Sequence, residues 1–272
     1  MIHQNGDTIN IQGGTQTGAN LFHSFEQFGV NQNQTANFIS NPSIQNILGR
    51  VTGGDASLIN GLIQVTGGNS NLYLMNPAGI IFGAGASLNV PAAFTATTAN
   101  GIGFGDKWFN AVGTNNYASL LNNPNGFAFT QAGTIFNAGN LAVGAGQNLT
   151  LLGGTVINTG TISAPGGNIT IAAIPGEQLV RITPEGSLLS LALPVETKAA
   201  INSPALTPLS LPQLLTGGNV GGATGVTVEN GVVKLTGAGV TIPDTPGVAV
   251  VAHQVNVSGA TGGRRISSYR LL

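Results

Sequence analysis

The sequence contains no cysteine among its 272 residues. Disulfide scaffolds, thiol catalysis and cysteine-based metal sites are therefore excluded. Charged residues are also scarce, at 6% of the chain against about 25% in typical globular domains. The net charge is −1 and no run of Lys or Arg occurs, so the electrostatic footprint of a nucleic-acid-binding protein is missing. We expect no nucleic-acid partner.

Long apolar runs are missing as well. No run approaches the ~20 residues that a membrane-spanning helix needs. The first residues, "MIHQNGDTIN", are polar, so they do not form the apolar core of a secretion signal. A membrane-spanning helix is therefore not predicted.

The abundant residues are those of β-strands joined by tight turns. Gly occurs 42 times, and Val, Ile, Leu, Thr and Asn are frequent. Branched side chains pack well on pleated surfaces, and Gly and Asn tolerate positive φ angles in turns. A disordered chain would instead combine high charge with few branched residues. The composition predicts an all-β fold, and the chain is long enough to bury a sizeable core.

An internal repeat narrows the choice among β folds. The stretch "GTIFNAGNLAV" begins at Gly133 and "GTVINTGTISA" at Gly154, and "NLTLLGG" from Asn148 is followed by "NITIAA" from Asn168. The period is about 20 residues. An antiparallel sandwich has no reason to repeat a sequence at this spacing, and leucine-rich repeats need a strict Leu ladder. A parallel β-helix accounts for the pattern best.

Stacked coils place like residues above like residues. Asn137 and Asn158 should therefore stack at one corner of the helix, since neutral polar ladders stack where charged ladders repel. The same alignment predicts four apolar side chains inside the core: Ile135, Leu141, Val156 and Ile162. Stacking of this kind also explains the low charge.

Two segments break the period and are predicted to lie outside the coils. Residues 100–130 contain the one Trp, and residues 176–224 begin with a predicted hairpin, "EQLVRI" and "SLLSLAL", around a "TPEG" turn. Residues 191–215 are predicted to be an irregular excursion or a short capping helix. Regular strands return around an Asn-Gly turn at residues 230–231, a strong hairpin signal.

The N-terminal region, residues 1–45, is predicted to be a cap. Phe22, Phe25 and Phe28 lie three residues apart, a spacing typical of a core-facing helical turn or an aromatic plug. His23, among them, is interpreted as a packed or capping histidine. A β-helix must close its open ends against aggregation, which favours a cap here.

Three segments in this order carry a family resemblance: "LFHSFEQFGV" (21–30), "NILGRVTGGDASLINGLIQV" (46–65) and "NLYLMNPAGIIFGAGASLNV" (71–90). Together they resemble the secretion (TPS) domain of two-partner-secretion exoproteins, the filamentous-haemagglutinin N-terminal family, in its cyanobacterial-type form. The similarity extends to about Glu177. It implies a single domain over residues 1–272, folded as a right-handed parallel β-helix with an N-terminal cap and extra-helical β-hairpin or loop excursions.

The resemblance also implies a function. In this family the domain is recognised by the periplasmic POTRA domains of a cognate outer-membrane TpsB transporter of the Omp85 type, which exports the long adhesin-like chain behind it. The domain would nucleate β-helix folding outside the cell. We therefore expect a secreted or cell-surface monomer without cofactors, whose signal peptide is absent from this sequence.

The family's secretion motif reads Asn-Pro-Asn-Gly-Ile. Asn76, Pro77, Gly79 and Ile80 match it, and Ala78 replaces the second Asn. Pro77 fixes φ near −65° and Gly79 can take a positive φ, a favourable pairing for a tight turn, while Asn76 can form an Asx-turn. Two interpretations stay open: a corner that holds coil register, and a turn that the transporter contacts directly.

A second family turn has a looser counterpart. Asn41, Pro42 and Ser43 resemble the upstream Asn-Pro turn of the family and are predicted to form a second recognition motif. A further "NPNG" at residues 123–126 is interpreted as an ordinary turn.

An enzyme is the strongest rival interpretation, because parallel β-helices also house polysaccharide-active enzymes. Those need clustered carboxylates for calcium binding or acid/base chemistry. Here no two of the nine acidic residues lie within five positions of each other. His3, His23 and His253 lack metal-ligand spacing, so we predict no catalytic, metal-binding or cofactor-binding residue. A glycan-binding adhesin module is a further alternative.

Overall fold

The computed structural model describes residues 2–130, 133–182, 188–192, 225–229, 232–236, 247–259 and 265–270. Its elements, in chain order, are β1 Ile2–Asn5, β2 Thr8–Ile11, β3 Thr15–Thr17, β4 Asn20–Phe25, β5 Thr35–Ile39, β6 Asn46–Val51, β7 Ser57–Ile59, β8 Leu62–Thr66, β9 Asn71–Met75, β10 Ile80–Phe82, β11 Ser87–Asn89, β12 Phe94–Thr97, β13 Gly101–Phe104, β14 Lys107–Asn110, the 3₁₀ turn η1 Tyr117–Ser119, β15 Gly126–Phe129, β16 Thr134–Asn137, β17 Asn140–Ala142, β18 Leu149–Gly153, β19 Thr155–Asn158, β20 Thr161–Ser163, β21 Asn168–Ala173, β22 Gln178–Ile182, β23 Leu188–Ala192, β24 Gly225–Glu229, β25 Val232–Thr236, β26 Ala249–Val251, β27 Val255–Asn256 and β28 Arg265–Arg270.

Three sheets wrap around a common interior. Sheet A has the order β1-β2-β5-β8-β11-β17-β20-β27, sheet B the order β28-β21-β18-β12-β9-β6-β4-β3, and sheet C the order β26-β19-β16-β10-β7. Successive strands of one coil enter successive sheets, as β7, β8 and β9 do. The next coil, β10, β11 and β12, pairs with these three strands in parallel. The predicted parallel β-helix is confirmed.

The length of a coil explains the sequence repeat. Asn137 contacts Asn158, 21 residues later in the chain. Nearer the N-terminus the coils are longer, because Asn46 contacts Asn71 at a separation of 25 residues. The repeat is therefore clearest in the short C-terminal coils.

The interior contains the apolar residues that the repeat predicts. Ile135 pairs with Val156 and Leu141 pairs with Ile162 across neighbouring coils. All four side chains are fully buried, at 0% exposure. Full burial of a side chain of this size stabilises the fold by about 1.5–3 kcal/mol. Stacked branched side chains therefore hold successive coils together.

The predicted asparagine corner is also confirmed. Asn137 and Asn158 are fully buried, and Nδ2 of Asn137 donates a hydrogen bond of 2.7 Å to Oδ1 of Asn158. The N–H of Gly139 donates to Oδ1 of Asn137 at 3.0 Å, and Nδ2 of Asn158 donates to the carbonyl of Gly160 at 2.9 Å. Each side-chain amide thus bonds the backbone of its own corner, and the two amides bond each other. The buried oxygen and nitrogen atoms of both side chains therefore all have hydrogen-bond partners.

Inward and outward positions should respond differently to the same small truncation. Ile162→Val removes a buried methylene group and should lower the free energy of unfolding by about 0.5–1.5 kcal/mol. Ile81→Val, on the outer face of sheet C, should change it by less than about 0.5 kcal/mol. Urea unfolding followed by circular dichroism measures both. Equal losses would contradict the assignment of the two faces.

An antiparallel sheet covers the outside of sheet B. Sheet D has the order β14-β13-β15-β22-β23 and brings together strands from both predicted excursions. A second apolar core fills the space between sheets B and D, built around six aromatic or large aliphatic side chains: Phe22, Leu48, Phe104, Phe109, Phe127 and Phe129. The described strands of both excursions therefore form one layer packed on the β-helix.

Both predicted hairpins pair as expected. Strands β22 and β23 are antiparallel, and so are β24 and β25, which form a separate two-stranded sheet E. Their connecting turns, and residues 193–224 with the predicted excursion or capping helix, lie outside the described residues.

The helical-turn interpretation of the N-terminal aromatics is wrong. Phe22 and Phe25 belong to strand β4, and β4 pairs in parallel with β6 as part of the first coil. Phe22 packs under sheet D, while Phe25 and Phe28 face the interior. Tertiary pairing with β6 overrides the three-residue spacing. Within residues 1–45, β1 pairs antiparallel with β2 and β3 pairs antiparallel with β4. Strands β4 and β5 already lie in the parallel sheets.

Candidate functional site

The turn at Asn76–Gly79 forms the corner between sheets B and C. Strand β9 ends at Met75 and β10 begins at Ile80. The N–H of Gly79 donates to the carbonyl of Asn76 at 3.1 Å, and the N–H of Ala78 donates to Oδ1 of Asn76 at 3.0 Å. This is the Asx-turn within a tight turn that the sequence predicts.

The side chain of Asn76 is bound to the preceding coil. Its Nδ2 donates to the carbonyl of Asp55 and to Oγ of Ser57, both at 2.9 Å. The residue is 1% exposed. In the folded protein this amide holds coil register, and a partner cannot reach it. The surface of the turn consists of exposed Ala78 and half-buried Pro77.

Gly79 lies under the following coil. Its φ is +128°, and a β-carbon there would lie 3.1 Å from the carbonyl oxygen of Thr134 and 3.5 Å from Cβ of Ala56. Gly133 of the same upper coil packs directly against the carbonyl oxygen of Pro77. The turn is therefore enclosed by the coils on both sides, which explains the requirement for a glycine.

The second predicted motif, Asn41–Ser43, has the same local geometry. The N–H of Ser43 donates to Oδ1 of Asn41 at 2.9 Å, and the N–H of Ile44 donates to the carbonyl of Asn41 at 3.1 Å. Asn41, Pro42 and Ser43 are all exposed. They connect sheet A to sheet B, whereas Asn76 lies between sheets B and C, so the fold places the two motifs at different corners.

Truncation of the two turn asparagines should separate a buried role from an exposed one. The sequence predicts a loss of about 1 kcal/mol for Asn76→Ala. Because the buried amide has three partners, we now expect about 1–3 kcal/mol. Asn41→Ala, the matched exposed control, should cost less than about 1 kcal/mol. Urea unfolding measures both losses, and a larger loss for Asn41→Ala would contradict the assigned geometry.

A buried asparagine ladder was not predicted. Nδ2 of Asn46 donates to Oδ1 of Asn20 at 2.8 Å, and Nδ2 of Asn71 donates to Oδ1 of Asn46 at 2.9 Å. Nδ2 of Asn20 donates to the carbonyl of Leu120 at 2.8 Å, which ties the sheet D excursion to the first coil. The signal in the sequence is the recurrence of Asn at separations of 26 and 25 residues.

Arg50 is a buried cation with neutral partners. Its Nε donates to Oγ of Ser24 at 2.7 Å, and its Nη1 donates to the carbonyls of Asn110 and Gly113 at 2.8 and 2.9 Å. The guanidinium lies 5.7 Å from the ring centroid of Phe109. These contacts join sheet B to sheet D, so Arg50 is a structural residue.

His23 is packed, as the sequence predicts. It lies near the rings of Phe25 and Phe38, with centroid distances of 6.0 and 5.8 Å. Its Nε2 is buried without a hydrogen-bond partner among the described residues. Burial lowers the pKa of His23 from 6.5 to about 4. A cavity of about 390 Å³, lined in part by Gly14 and Thr15, lies beside the imidazole.

Groups suited to metal chemistry do not gather in the described part of the chain. No cluster of three or more His, Asp or Glu residues occurs there. The ion pair found there joins Lys107 to Asp106 at 2.9 Å on the surface.

A helix long and apolar enough to cross a membrane is also not found among the described residues. The candidate site therefore consists of the two motif turns, each at its own corner of the β-helix.

Comparison with protein families decides the identity of this β-helix. The model of the family described as "TPS secretion domain" matches residues 1–203, about three quarters of the chain. The chain belongs to the TPS secretion domain family. The match covers both motif turns and all of sheet D.

Two relatives of this TPS domain come from Haemophilus influenzae. A heme/hemopexin-binding protein is 34% identical over 109 residues, which are 38% of this chain and 11% of that protein. The crystal structure of the HMW1 secretion domain aligns with a TM-score of 0.51 at 24% identity, covering 72% of this chain and 47% of that one. The chain thus spans about a tenth and about half of the lengths of these two proteins. The HMW1 structure supports the fold.

Membership of the family has a general consequence for partners. TPS exoproteins are secreted through outer-membrane transporters, and a TPS domain implies a cognate TpsB transporter. The family is a secretion-domain family rather than a catalytic one.

Proposed function

We propose that this chain is the N-terminal secretion domain of a large exported adhesin-like protein of the filamentous-haemagglutinin type. The periplasmic POTRA domains of a cognate TpsB transporter bind it, and it nucleates β-helix folding outside the cell. The observation that carries the proposal is the family match over residues 1–203. The cyanobacterial type suggested by the sequence, an extracellular location and a monomeric state are parts of the same proposal.

The architecture supports an export role. The periplasm supplies no nucleotide energy, so folding outside the cell provides the driving force for a chain that leaves unfolded. Each coil contacts mainly its neighbours through parallel ladders, and such nearest-neighbour stacking lets folding propagate one layer at a time. The absence of cysteine removes the risk that a disulfide blocks an extended chain in transit.

The two motifs have different roles in this proposal. Asn76, Pro77, Ala78, Gly79 and Ile80 chiefly hold the register of the first coils, because the side chain of Asn76 is buried between them. Any recognition of the folded motif involves its exposed surface at Ala78 and Pro77. The turn Asn41–Ser43 is fully exposed and offers the second contact.

Catalysis is not part of the proposed function. Among the described residues no three His, Asp or Glu side chains lie together, and the family match is to a secretion domain. No cofactor is proposed.

A binding comparison tests the proposal. The purified chain should bind the isolated periplasmic domains of the TpsB transporter encoded beside its gene, and it should not bind labelled glycans under the same conditions. Sedimentation should show a monomer. Glycan binding without transporter binding would support an adhesin module and contradict the proposed function.

A further inference from the structure

Four Asn-Gly pairs lie in the described part of the chain, at residues 5–6, 60–61, 100–101 and 125–126. Such pairs are chemically labile, because glycine has no side chain to hinder attack of its backbone nitrogen on the preceding asparagine side chain. The attack needs a side-chain amide that is free to turn and a backbone that can bend toward it. The surroundings of the four asparagines differ in both respects.

Asn60 is held at a corner between sheets C and A. Its Oδ1 accepts a hydrogen bond of 2.8 Å from the N–H of Gly85 in the next coil, and its own N–H donates to the carbonyl of Val30 at 2.6 Å. A β-carbon on Gly83 would lie 2.6 Å from the same Oδ1, so the next coil packs closely on this side chain. The amide of Asn60 is therefore fixed while the coils are paired.

Asn100 and Asn125 are held at the starts of two sheet D strands, β13 and β15. Oδ1 of Asn100 accepts a hydrogen bond of 2.7 Å from the N–H of Thr130, and Oδ1 of Asn125 accepts one of 3.1 Å from the N–H of Gly105. The N–H of Asn125 also donates to the carbonyl of Gly103 at 2.9 Å. Both side chains are therefore fixed while sheet D is intact.

Asn5 lies in a different setting. Its side chain is exposed, and no hydrogen bond from it to another described residue is found. The residue ends strand β1 and pairs with Thr8 across a tight turn, in which Gly6 has a φ of +58°. No atom lies within 4 Å of a β-carbon placed on Gly6. The space around the reacting groups is therefore open.

Strand β1 can also separate from its neighbour at a small cost. It is the outermost strand of sheet A, and among the described strands it pairs with β2 alone. Terminal strands open with a far smaller free energy than core strands do. Opening of β1 frees the backbone around Asn5, whereas the other three asparagines are freed only when the coils or sheet D come apart. Local stability thus selects one of the four pairs.

We propose that Asn5 is a spontaneous deamidation site of the folded domain. The backbone nitrogen of Gly6 loses its proton and attacks Cγ of Asn5, so a new C–N bond forms. The bond from Cγ to Nδ2 breaks, and the side-chain nitrogen leaves as ammonia with that proton. Water then opens the resulting succinimide ring at either carbonyl, which gives aspartate or isoaspartate. Because water is the co-reactant, the modification needs neither an enzyme nor the transporter and goes beyond the proposed function.

Isoaspartate at position 5 breaks the first hairpin. In this product the main chain runs through the former side chain, so it gains one backbone atom beside the turn. The register of a hairpin depends on the length of its turn, and the pairing of residue 5 with Thr8 is lost. Strand β1 then separates from β2, and β2 becomes the outer strand of sheet A.

Mass spectrometry of the full chain, aged at mildly alkaline pH either folded or in guanidinium chloride, tests the site. Deamidation replaces an amide nitrogen by oxygen and changes the mass of the affected peptide. Asn5 should react at rates within about threefold of each other in the two states, because β1 opens readily. Asn60, Asn100 and Asn125 should react at least about tenfold more slowly in the folded chain.

Asn5→Gln is the matched control for the chemistry. Its longer side chain closes the ring far more slowly, so the reaction at position 5 should disappear while the rates at Asn60, Asn100 and Asn125 stay unchanged. Protection of Asn5 in the folded wild-type chain as strong as that of Asn60 would overturn the proposal. Reaction of all four asparagines at equal rates in the folded and unfolded chains would also overturn it, because folding would then make no selection.

Hydrogen exchange tests the consequence for the hairpin. In chains with isoaspartate at position 5, the amides of β2 that bond to β1 should exchange at least about tenfold faster than in the unmodified chain. Asn5→Asp carries the same charge without the additional backbone atom and should keep the wild-type exchange rates. Unchanged exchange in the isoaspartate chain, or equally fast exchange in Asn5→Asp, would overturn the release of β1 by the lengthened backbone. Neither result bears on transporter binding, so the proposed function is tested separately.

Discussion

Gly79→Val should destabilise the domain by about 2–6 kcal/mol and abolish its export. The φ of +128° is unfavourable for a branched residue, and a strained backbone of this kind costs about 1–3 kcal/mol. The new side chain would also press against the carbonyl oxygen of Thr134, 3.1 Å from its β-carbon, and overpacking adds about 1–3 kcal/mol. Urea unfolding and the secreted yield of the variant measure the two effects.

Gly105→Val is the matched control for this substitution. Gly105 also has a positive φ, +73°, but no atom lies within 4 Å of a β-carbon placed there. The Gly105→Val variant should therefore be destabilised only by backbone strain, by about 1–3 kcal/mol. It should still be exported. A Gly79→Val protein with wild-type stability would show that the coils do not enclose the turn.

Acid should weaken the domain through His23. Burial lowers the pKa of His23 from 6.5 to about 4, so the folded state favours the neutral imidazole. Above pH 6.5 the imidazole is neutral in both states and contributes no pH dependence. As the pH falls from 6.5 to 4 the unfolded chain takes up a proton that the folded chain does not, and stability falls. A shift of this size corresponds to a loss of about 3 kcal/mol.

The measurement is the free energy of unfolding between pH 7.5 and 4 for the wild-type chain and His23→Phe. Phenylalanine keeps an aromatic ring beside Phe25 and Phe38 but cannot take up a proton. The difference between the two curves isolates the titration of His23 from that of the carboxylates. It should shift by about 3 kcal/mol across this range, and parallel curves would contradict the burial of a neutral imidazole.

The sequence predicts most of the coil because parallel stacking repeats one environment at each layer. Ile135 and Val156 share one position in the core, and Asn137 and Asn158 share one corner, so the same residue types recur. This regularity makes inward positions and turn chemistry readable without a structure. It also explains why the C-terminal coils are the clearest part of the repeat.

The interactions between unlike segments could not be predicted in the same way. Strand β15 pairs with β22 although the coils from β16 to β21 separate them in the chain, and no repeat marks that pairing. Phe22 was predicted to lie in a helical turn or an aromatic plug. Instead it lies in strand β4, which pairs with β6, and its side chain packs against the added layer. Spacing alone cannot show which outer face will be covered.

The candidate site was predicted in its local part only. The Asx-turn of Asn76 follows from the residues of the turn itself. The partners of its amide, Asp55 and Ser57, and the contact of Gly79 with Thr134 depend on the register between coils. The pairing of Leu58 with Ile81 depends on the same register. Register therefore decides the burial of the motif.

The most direct test of the central claim is the secreted yield of a reporter protein fused behind this chain, with a signal peptide supplied, in cells that contain or lack the cognate TpsB transporter. We predict that the reporter reaches the medium when the transporter is present and stays in the periplasm when it is missing, and that Gly79→Val abolishes the difference. Equal amounts of reporter in the medium with and without the transporter would contradict the assignment of this chain as a secretion domain.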